Sequence, residues 1–244
     1  MTDYLVRPDG GRIAYDRYRG QGPGVVWLGG FKSDRTGTKS QALGAWARER
    51  GRAFVTFDYS GHGASDGDFR DGTVTRWLAD SLEILDRLTE GPQILVGSSM
   101  GGWLALLTAL ARPDRVAGLL LIAPAADFTQ ELLWKSYPDA VRRRIEEKGE
   151  YLWPSLYDAE PYPITRGLIA DGRRHLLLGG PIAIACPVRI VQGMADPDVP
   201  WEHAMRLLNA LGPDAEITLL KSGEHRLSRP REIATILRLL EAMT

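Results

Sequence analysis

Ile94-Leu95-Val96-Gly97-Ser98-Ser99-Met100-Gly101-Gly102 runs from a short apolar segment into the pattern G-x-S-x-G and on into helix-forming residues. It reads as a nucleophile elbow with Ser99 at its tip. A serine hydroxyl is a weak nucleophile, so it must be exposed, turned toward a base and set beside hydrogen-bond donors that stabilise a developing oxyanion. A tight strand-to-helix turn supplies that exposure. Gly97 and Gly101 flank Ser99 at the two positions where a Cβ would crowd the turn. The following helix sets the Met100 amide beside Ser99 and aims its positive dipole end at the reacting centre. A plain Gly-Ser turn without chemistry fits those five residues taken alone. The flanks argue otherwise: residues 93–98 are strand-like, and Trp103, Leu104, Leu106, Leu107 and Leu110 mark an apolar helix that stops before Pro113.

The chain has 244 residues, 44% of them hydrophobic, and 27 glycines, which suits one α/β domain over 1–244 with a sizeable core. Thirty Lys and Arg against 31 Asp and Glu leave a formal charge of −1, so there is no general electrostatic reason to bind nucleic acid or an anionic membrane. Small-molecule or acyl-group chemistry fits better. Cys186, the single cysteine, cannot form an internal disulfide, and Met1-Thr2-Asp3-Tyr4 carries neither a basic n-region nor an apolar h-region. The expectation is a soluble, cytoplasmic protein. No run approaches the roughly 18 to 20 apolar residues of a membrane span, and the sequence carries no signal for oligomeric state.

Outward from the elbow, strands are predicted over 4–7, 12–19, 24–30, 54–59, 93–98, 116–123, 188–191 and 216–220. The first two flank Pro8-Asp9-Gly10-Gly11 and read as an antiparallel hairpin edge. Residues 24–30 form a continuous apolar run ending in glycine, the pattern of a strand buried on both faces. Helices are predicted around Leu43, Trp46 and Ala47, around Trp77, Leu78, Leu82, Leu85 and Leu88, and over 201–211 and 233–243. Strands alternating with helices predict a doubly wound, mostly parallel sheet.

Residues 126–185 break the alternation and read as an inserted cap. They hold helical pieces and seven aromatics, Phe128, Trp134, Tyr137, Tyr151, Trp153, Tyr157 and Tyr162. Ser136-Tyr137-Pro138-Asp139 resembles a capping box opening a helix, and Arg142, Arg143 and Arg144 stand within reach of Glu146 and Glu147 on a solvated face. Most of the aromatics should be packing, while a minority line a pocket above Ser99, because ligands of open sheets bind at the carboxyl ends of the strands.

A base must reach Ser99, and there are four histidines. His62 lies in a glycine-rich loop, His175 in the cap beside two arginines, and His203 in the first turn of a helix. His225 follows the last strand at its carboxyl end, on the edge that bears Ser99, and is the candidate general base. The third group should be a carboxylate that accepts the other imidazole N–H and fixes the tautomer. Asp196 and Asp198 both follow the strand over 188–191. Asp196 is nearer the strand end and is favoured, while Asp198 can cap the helix beyond Val199-Pro200. Serine, acid and histidine in that order match one of the known triad arrangements.

Five motifs in sequence now carry a resemblance: Gly29-Gly30-Phe31; Asp58-Tyr59-Ser60-Gly61-His62-Gly63-Ala64-Ser65; the Ser99 elbow; Gly193-x-x-Asp196-x-x-Val199-Pro200; and Gly223-Glu224-His225. The chain resembles the α/β-hydrolases from end to end. That resemblance implies the α/β-hydrolase fold, places the oxyanion donors at the backbone amides of Phe31 and Met100, and carries the acid role onto Asp196. A narrower likeness rests on Phe31-Lys32-Ser33-Asp34 with Thr36-Gly37-Thr38-Lys39, Phe57-Asp58-Tyr59-Ser60-Gly61, Val96-Gly97-Ser98-Ser99, Gly101-Gly102-Trp103 and Val199-Pro200-Trp201. These resemble the mitochondrial α/β-hydrolases that act as palmitoyl-protein thioesterases and acyl-glucuronide esterases, and imply hydrolysis of acyl esters or thioesters on small-molecule or acylated-protein substrates.

The expected chemistry is two-step acyl transfer through Ser99, Asp196 and His225, with no metal or organic cofactor, since neither a metal-ligand cluster nor a dinucleotide fingerprint is present in the sequence. A peptidase or carbon–carbon bond hydrolase would use the same three residues, and a binding protein could keep the fold without turnover. A fluorophosphonate probe separates the last case, because it labels only an activated serine.

Overall fold

The apolar runs of the sequence pair side by side in a computed structural model that describes residues 2–154 and 160–244. Strands β1 (Asp3–Val6), β2 (Arg12–Tyr18), β3 (Gln21–Leu28), β4 (Arg52–Phe57), β5 (Gln93–Ser98) and β6 (Val116–Ile122) come first. A short pair, β7 (Glu150–Trp153) and β8 (Tyr162–Thr165), lies apart, and β9 (Val188–Gly193) and β10 (Ala215–Leu220) complete the main sheet. Its order is β1-β2-β4-β3-β5-β6-β9-β10. β1 and β2 run antiparallel to their neighbours, and every pairing from β4 through β10 is parallel. This is the α/β-hydrolase fold with its antiparallel N-terminal edge. The β1–β2 turn closes as expected, with Gly10 at φ +88° and the Arg7 amide donating to the Gly11 carbonyl.

Both faces of the sheet are buried because each central strand sends alternate apolar side chains to opposite sides. Val26, Leu28, Leu95, Leu119 and Leu121 meet side chains of α2 (Val74–Leu88), α3 (Met100–Ala111) and α6 (Trp201–Ala210). Val25, Trp27, Ile94, Val96, Leu120 and Ile122 meet α1 (Thr38–Glu49) and α7 (Pro230–Glu241). In α2 the buried positions Val74, Trp77, Ser81, Ile84, Leu85 and Leu88 recur at helical spacing, and Thr73 caps the helix through its hydroxyl to the Arg76 amide. In α3 nearly every residue is buried, as befits a central helix. α7 begins at Pro230, three residues before the predicted start, because proline suits the first helical position and Glu232 accepts from the Arg229 amide at 2.9 Å.

Among the described residues between β6 and β9, none joins a strand of the main sheet. They hold a π-helical turn (Thr129–Trp134), α4 (Asp139–Lys148), the antiparallel β7–β8 hairpin and α5 (Arg166–Gly172). The hairpin is a departure from the sequence reading, which placed only helical pieces here. Ser136 also differs: its hydroxyl donates back to the carbonyls of Leu132 and Leu133, finishing the preceding turn, and α4 starts at Asp139 after Pro138. Arg142 donates to the carbonyls of Trp134 and Lys135, a cation at the C-terminal end of a helical turn. Among the described residues Arg142, Arg143 and Arg144 form no ion pair with Glu146 or Glu147, and Arg142 pairs with Asp139 instead. Tyr137, Tyr151 and Trp153 pack together over Ile145, Ile164 and Ile169 as a small separate core. Tyr157 lies outside the described residues.

Candidate active site

Four loops meet at the carboxyl edge of the sheet: those after β3, β5, β9 and β10. Ser99 follows β5 with φ 55° and ψ −118°, a conformation rare for any residue with a side chain. Its surroundings hold it there. The Ser99 amide donates to the Ile122 carbonyl, and its own carbonyl accepts from Gly102 and Ala125. A Cβ on Gly97 would stand 2.3 Å from the Gly101 oxygen, and one on Gly101 would stand 2.1 Å from the Leu28 oxygen. The two glycines therefore answer a steric demand, and they let α3 press its first turn against the end of β3. Met100 occupies the first helical position, where no acceptor exists four residues back for its N–H.

The loop after β3 comes up against the serine. A Cβ built on Gly30 would lie 3.5 Å from the Ser99 Cβ, so Phe31 is next to the elbow. Its ring is enclosed edge-on by Phe69, Trp77, Phe128 and Tyr162 at centroid separations of 4.8 to 5.9 Å. Phe128 and Tyr162, two of the seven aromatics of residues 126–185, thus approach the site. Arg35, in the same loop, donates its amide and guanidinium to the buried Asp58 carboxylate at 2.6 and 2.7 Å, and Asp58 also accepts from the Ala64 amide. The loops after β3 and β4 are stitched together by this one carboxylate.

Asp196 and His225 come from adjacent loops after β9 and β10. A Cβ on Gly193 would fall 2.3 Å from the Gly223 oxygen, so glycine is required where the two loops touch. His225 Nε2 lies 3.0 Å from Ser99 Oγ, and His225 Nδ1 lies 2.9 Å from Asp196 Oδ2. The Asp196 side chain is fully buried yet saturated: Oδ2 also accepts from Gln192 Nε2 at 3.1 Å, and Oδ1 accepts from the amides of Asp198 and Val199 at 2.9 Å each. Gln192 was missed in the sequence, where it falls just past the strand predicted over 188–191; the structure makes it part of β9 (Val188–Gly193). A polar side chain among Val188, Ile190 and Val191 was the available signal. Asp198 lies beside the acid, its amide donating to Asp196 Oδ1, and α6 begins after Pro200 without a side-chain cap. Asp196, Asp198 and His225 also form a set whose ligand atoms lie within 4.8 Å of one another. Four donors meet the Asp196 carboxylate: the imidazole, the Gln192 amide and the backbone amides of Asp198 and Val199.

The other histidines are engaged elsewhere. His175 Nε2 lies 2.7 Å from Thr75 Oγ1, and His203 Nε2 donates to the Ala126 carbonyl at 2.8 Å. His62 is 3% exposed, and burial, opposed by its hydrogen bond to the Ser60 carbonyl, pushes its pKa down to about 4. The unfolded chain takes up this proton near 6.5 and the folded chain only near 4, so acid favours unfolding between those values. His203 is shifted in the same direction, chiefly by burial. The expected result is that wild type loses about 3 kcal/mol more stability than His62→Phe between pH 7 and 4. Urea melts of both proteins across that range test it, and parallel curves would refute it.

The comparisons agree with this architecture. The model of the alpha/beta hydrolase family matches residues 15–236. The mouse palmitoyl-protein thioesterase ABHD10, mitochondrial, is 42% identical over 234 residues, covering 94% of this chain and 78% of the relative. The solved structure of mouse alpha/beta hydrolase domain-containing protein 10 superposes with a TM-score of 0.93 at 38% identity, over 100% of this chain and 98% of that one. A putative hydrolase from Agrobacterium vitis S4 gives a TM-score of 0.96 at 42% identity, over 100% and 98% of the two chains. The cytoplasmic location expected from the sequence is overturned here, because five mammalian relatives of 39 to 42% identity are all named as mitochondrial. The lone thiol and the bland first residues on which it rested do not discriminate between those compartments. Among the described residues no helix is long and apolar enough to cross a membrane. From its sheet order, its sequence and its matched relatives, this chain belongs to the alpha/beta hydrolase family.

Proposed function

We propose that this protein is a serine hydrolase that cleaves carboxylic esters or acyl thioesters through an acyl-enzyme on Ser99. The observation that carries the reading is the continuous contact from Ser99 Oγ to His225 Nε2 at 3.0 Å and from His225 Nδ1 to Asp196 at 2.9 Å. In the proposed mechanism His225 takes the proton of Ser99 as the oxygen attacks the acyl carbonyl. The amides of Phe31 and Met100 hold the oxyanion, and His225 then protonates the leaving alcohol or thiol. Water, deprotonated by the same imidazole, attacks the acyl-enzyme and releases the acid. Asp196 keeps the N–H on Nδ1, so that Nε2 faces the serine with its lone pair.

The substrate class follows from two supports. The mammalian relatives are named palmitoyl-protein thioesterases. The side chains around Phe31 are aromatic, and Leu132, Leu133, Leu177 and Leu178 of residues 126–185 are partly buried against the main core. We read those residues as a cap on one catalytic domain, suited to an apolar acyl chain. Esters and thioesters of increasing acyl length test this: kcat/KM should rise with chain length. Fluorophosphonate labelling without turnover of any ester or thioester would turn the assignment toward amide or carbon–carbon bond cleavage, and no labelling would turn it toward a binding protein.

The two aspartates separate in the same assays. Asp196→Asn is expected to cost on the order of 10⁴ in kcat, since an amide favours the wrong imidazole tautomer. Asp198→Asn should cost kcat far less and act mostly on stability or KM, because the group that Asp198 gives to the Asp196 carboxylate is its backbone amide, which asparagine keeps. The reverse ranking would move the acid to Asp198.

A further inference from the structure

The loop after β4 reaches the loop after β3 through a second contact, distinct from Asp58. His62 Nδ1 lies 3.2 Å from the Ser60 carbonyl, and His62 Nε2 lies 3.1 Å from the Lys32 amide nitrogen. A carbonyl can only accept and an amide N–H can only donate, so both contacts are satisfied by one form of the ring: neutral, with hydrogen on Nδ1. The ring is held in place on several sides. It meets Tyr59, Phe69 and Trp77 edge-on at 5.0 to 5.6 Å, and Trp77 Nε1 donates to the same Ser60 carbonyl at 3.1 Å. Ser60 is itself fixed by its amide donating to the buried Asp80 at 2.8 Å.

What this rigid acceptor grips is a strained point of the chain. Lys32 has φ +56°, a left-handed conformation disfavoured for a residue with a side chain, which needs an external hold. The amide held by His62 belongs to the peptide joining Phe31 to Lys32, one peptide beyond the Phe31 N–H. The Phe31 ring is at the same time packed on Phe69 and Trp77, the rings that flank His62. The Phe31–Lys32 peptide shares the Phe31 Cα with the peptide that carries the Phe31 N–H, so loss of the bond to His62 would release one side of Phe31 and relax the direction in which that N–H points.

Resting on the serine-hydrolase reading, we infer that His62 is a positioning residue for the oxyanion loop: its neutral Nε2 locks the Phe31–Lys32 peptide so that the Phe31 amide faces a carbonyl at Ser99. Burial keeps the ring neutral at neutral pH, because its pKa lies at about 4.

The test compares wild type, His62→Phe and His62→Gln on a p-nitrophenyl ester, with a trifluoromethyl ketone that forms a tetrahedral oxyanion adduct on an active serine. In His62→Phe, which keeps an aromatic ring but has no acceptor, kcat should fall roughly 10- to 100-fold with KM little changed. Affinity for the ketone should fall in parallel. His62→Gln, whose amide oxygen can accept from Lys32, should recover most of both. A His62→Phe enzyme with unchanged kcat and ketone affinity overturns the inference, and so does one that loses rate while binding the ketone as wild type does. Should His62→Phe fail to fold, nitrogen-15 shifts of the wild-type ring at pH 7 decide: the neutral Nδ1–H form supports the assignment, and an imidazolium or Nε2–H form overturns it. Wild type that neither turns over the ester nor takes a fluorophosphonate fails the serine-hydrolase reading and the inference together. An active, labelled wild type with an equally active His62→Phe fails the inference alone.

Discussion

Ser99→Ala is expected to fold as wild type does and to lose on the order of 10⁶ in kcat, the loss measured when a nucleophile is removed from a comparable serine–histidine–aspartate set. The elbow geometry does not depend on the hydroxyl. Three backbone hydrogen bonds, from the Ser99 amide to Ile122 and from Gly102 and Ala125 to the Ser99 carbonyl, hold the turn, and alanine meets the same φ restriction as serine. The hydroxyl's contact with His225 is the one side-chain bond removed. Stability should therefore change by no more than about 1 kcal/mol. Ester turnover, fluorophosphonate labelling and a thermal melt on the same preparation check this. A folded Ser99→Ala protein with near-wild-type turnover would remove Ser99 from the chemistry.

The fold was readable wherever one residue-level constraint dominated. A strand buried on both faces can only be a near-continuous apolar run, so β3, β5 and β6 stand out, and the close approach of α3 to β3 leaves room only for glycine at 101. Order along the chain then brings Ser99, Asp196 and His225 to one edge, since a parallel sheet puts all its carboxyl ends on the same side. The stretch between β6 and β9 was legible as a break in the strand–helix alternation and opaque in detail. β7 and β8 are four residues each, Leu152 and Trp153 are substantially exposed, and their pairing is with each other rather than with the main sheet, so neither alternation nor a continuous apolar run marks them. Ser136 carries the local signature of a helix start but ends a turn instead, because its hydroxyl has the Leu132 and Leu133 carbonyls within reach. Gln192 and His62 were hidden for another reason. Gln192 meets Asp196, only four residues on, through a loop whose path the spacing does not give, and His62 meets a backbone amide thirty residues away, which one-dimensional spacing does not record.

His225→Ala should lose about as much as Ser99→Ala, roughly 10⁶ in kcat, because no other imidazole can take its place. His62 is fixed between Ser60 and Lys32, His175 contacts Thr75, and His203 is committed to the Ala126 carbonyl. The buried Asp196 carboxylate left behind would still accept from Gln192 and from the amides of Asp198 and Val199. The vacancy is thus partly compensated, and the variant should fold with a loss on the order of 1 to 2 kcal/mol. Ester turnover and tryptophan fluorescence on the same preparation at neutral pH separate lost chemistry from lost structure. A His225→Ala enzyme that stays folded and keeps its rate would require a different base at Ser99.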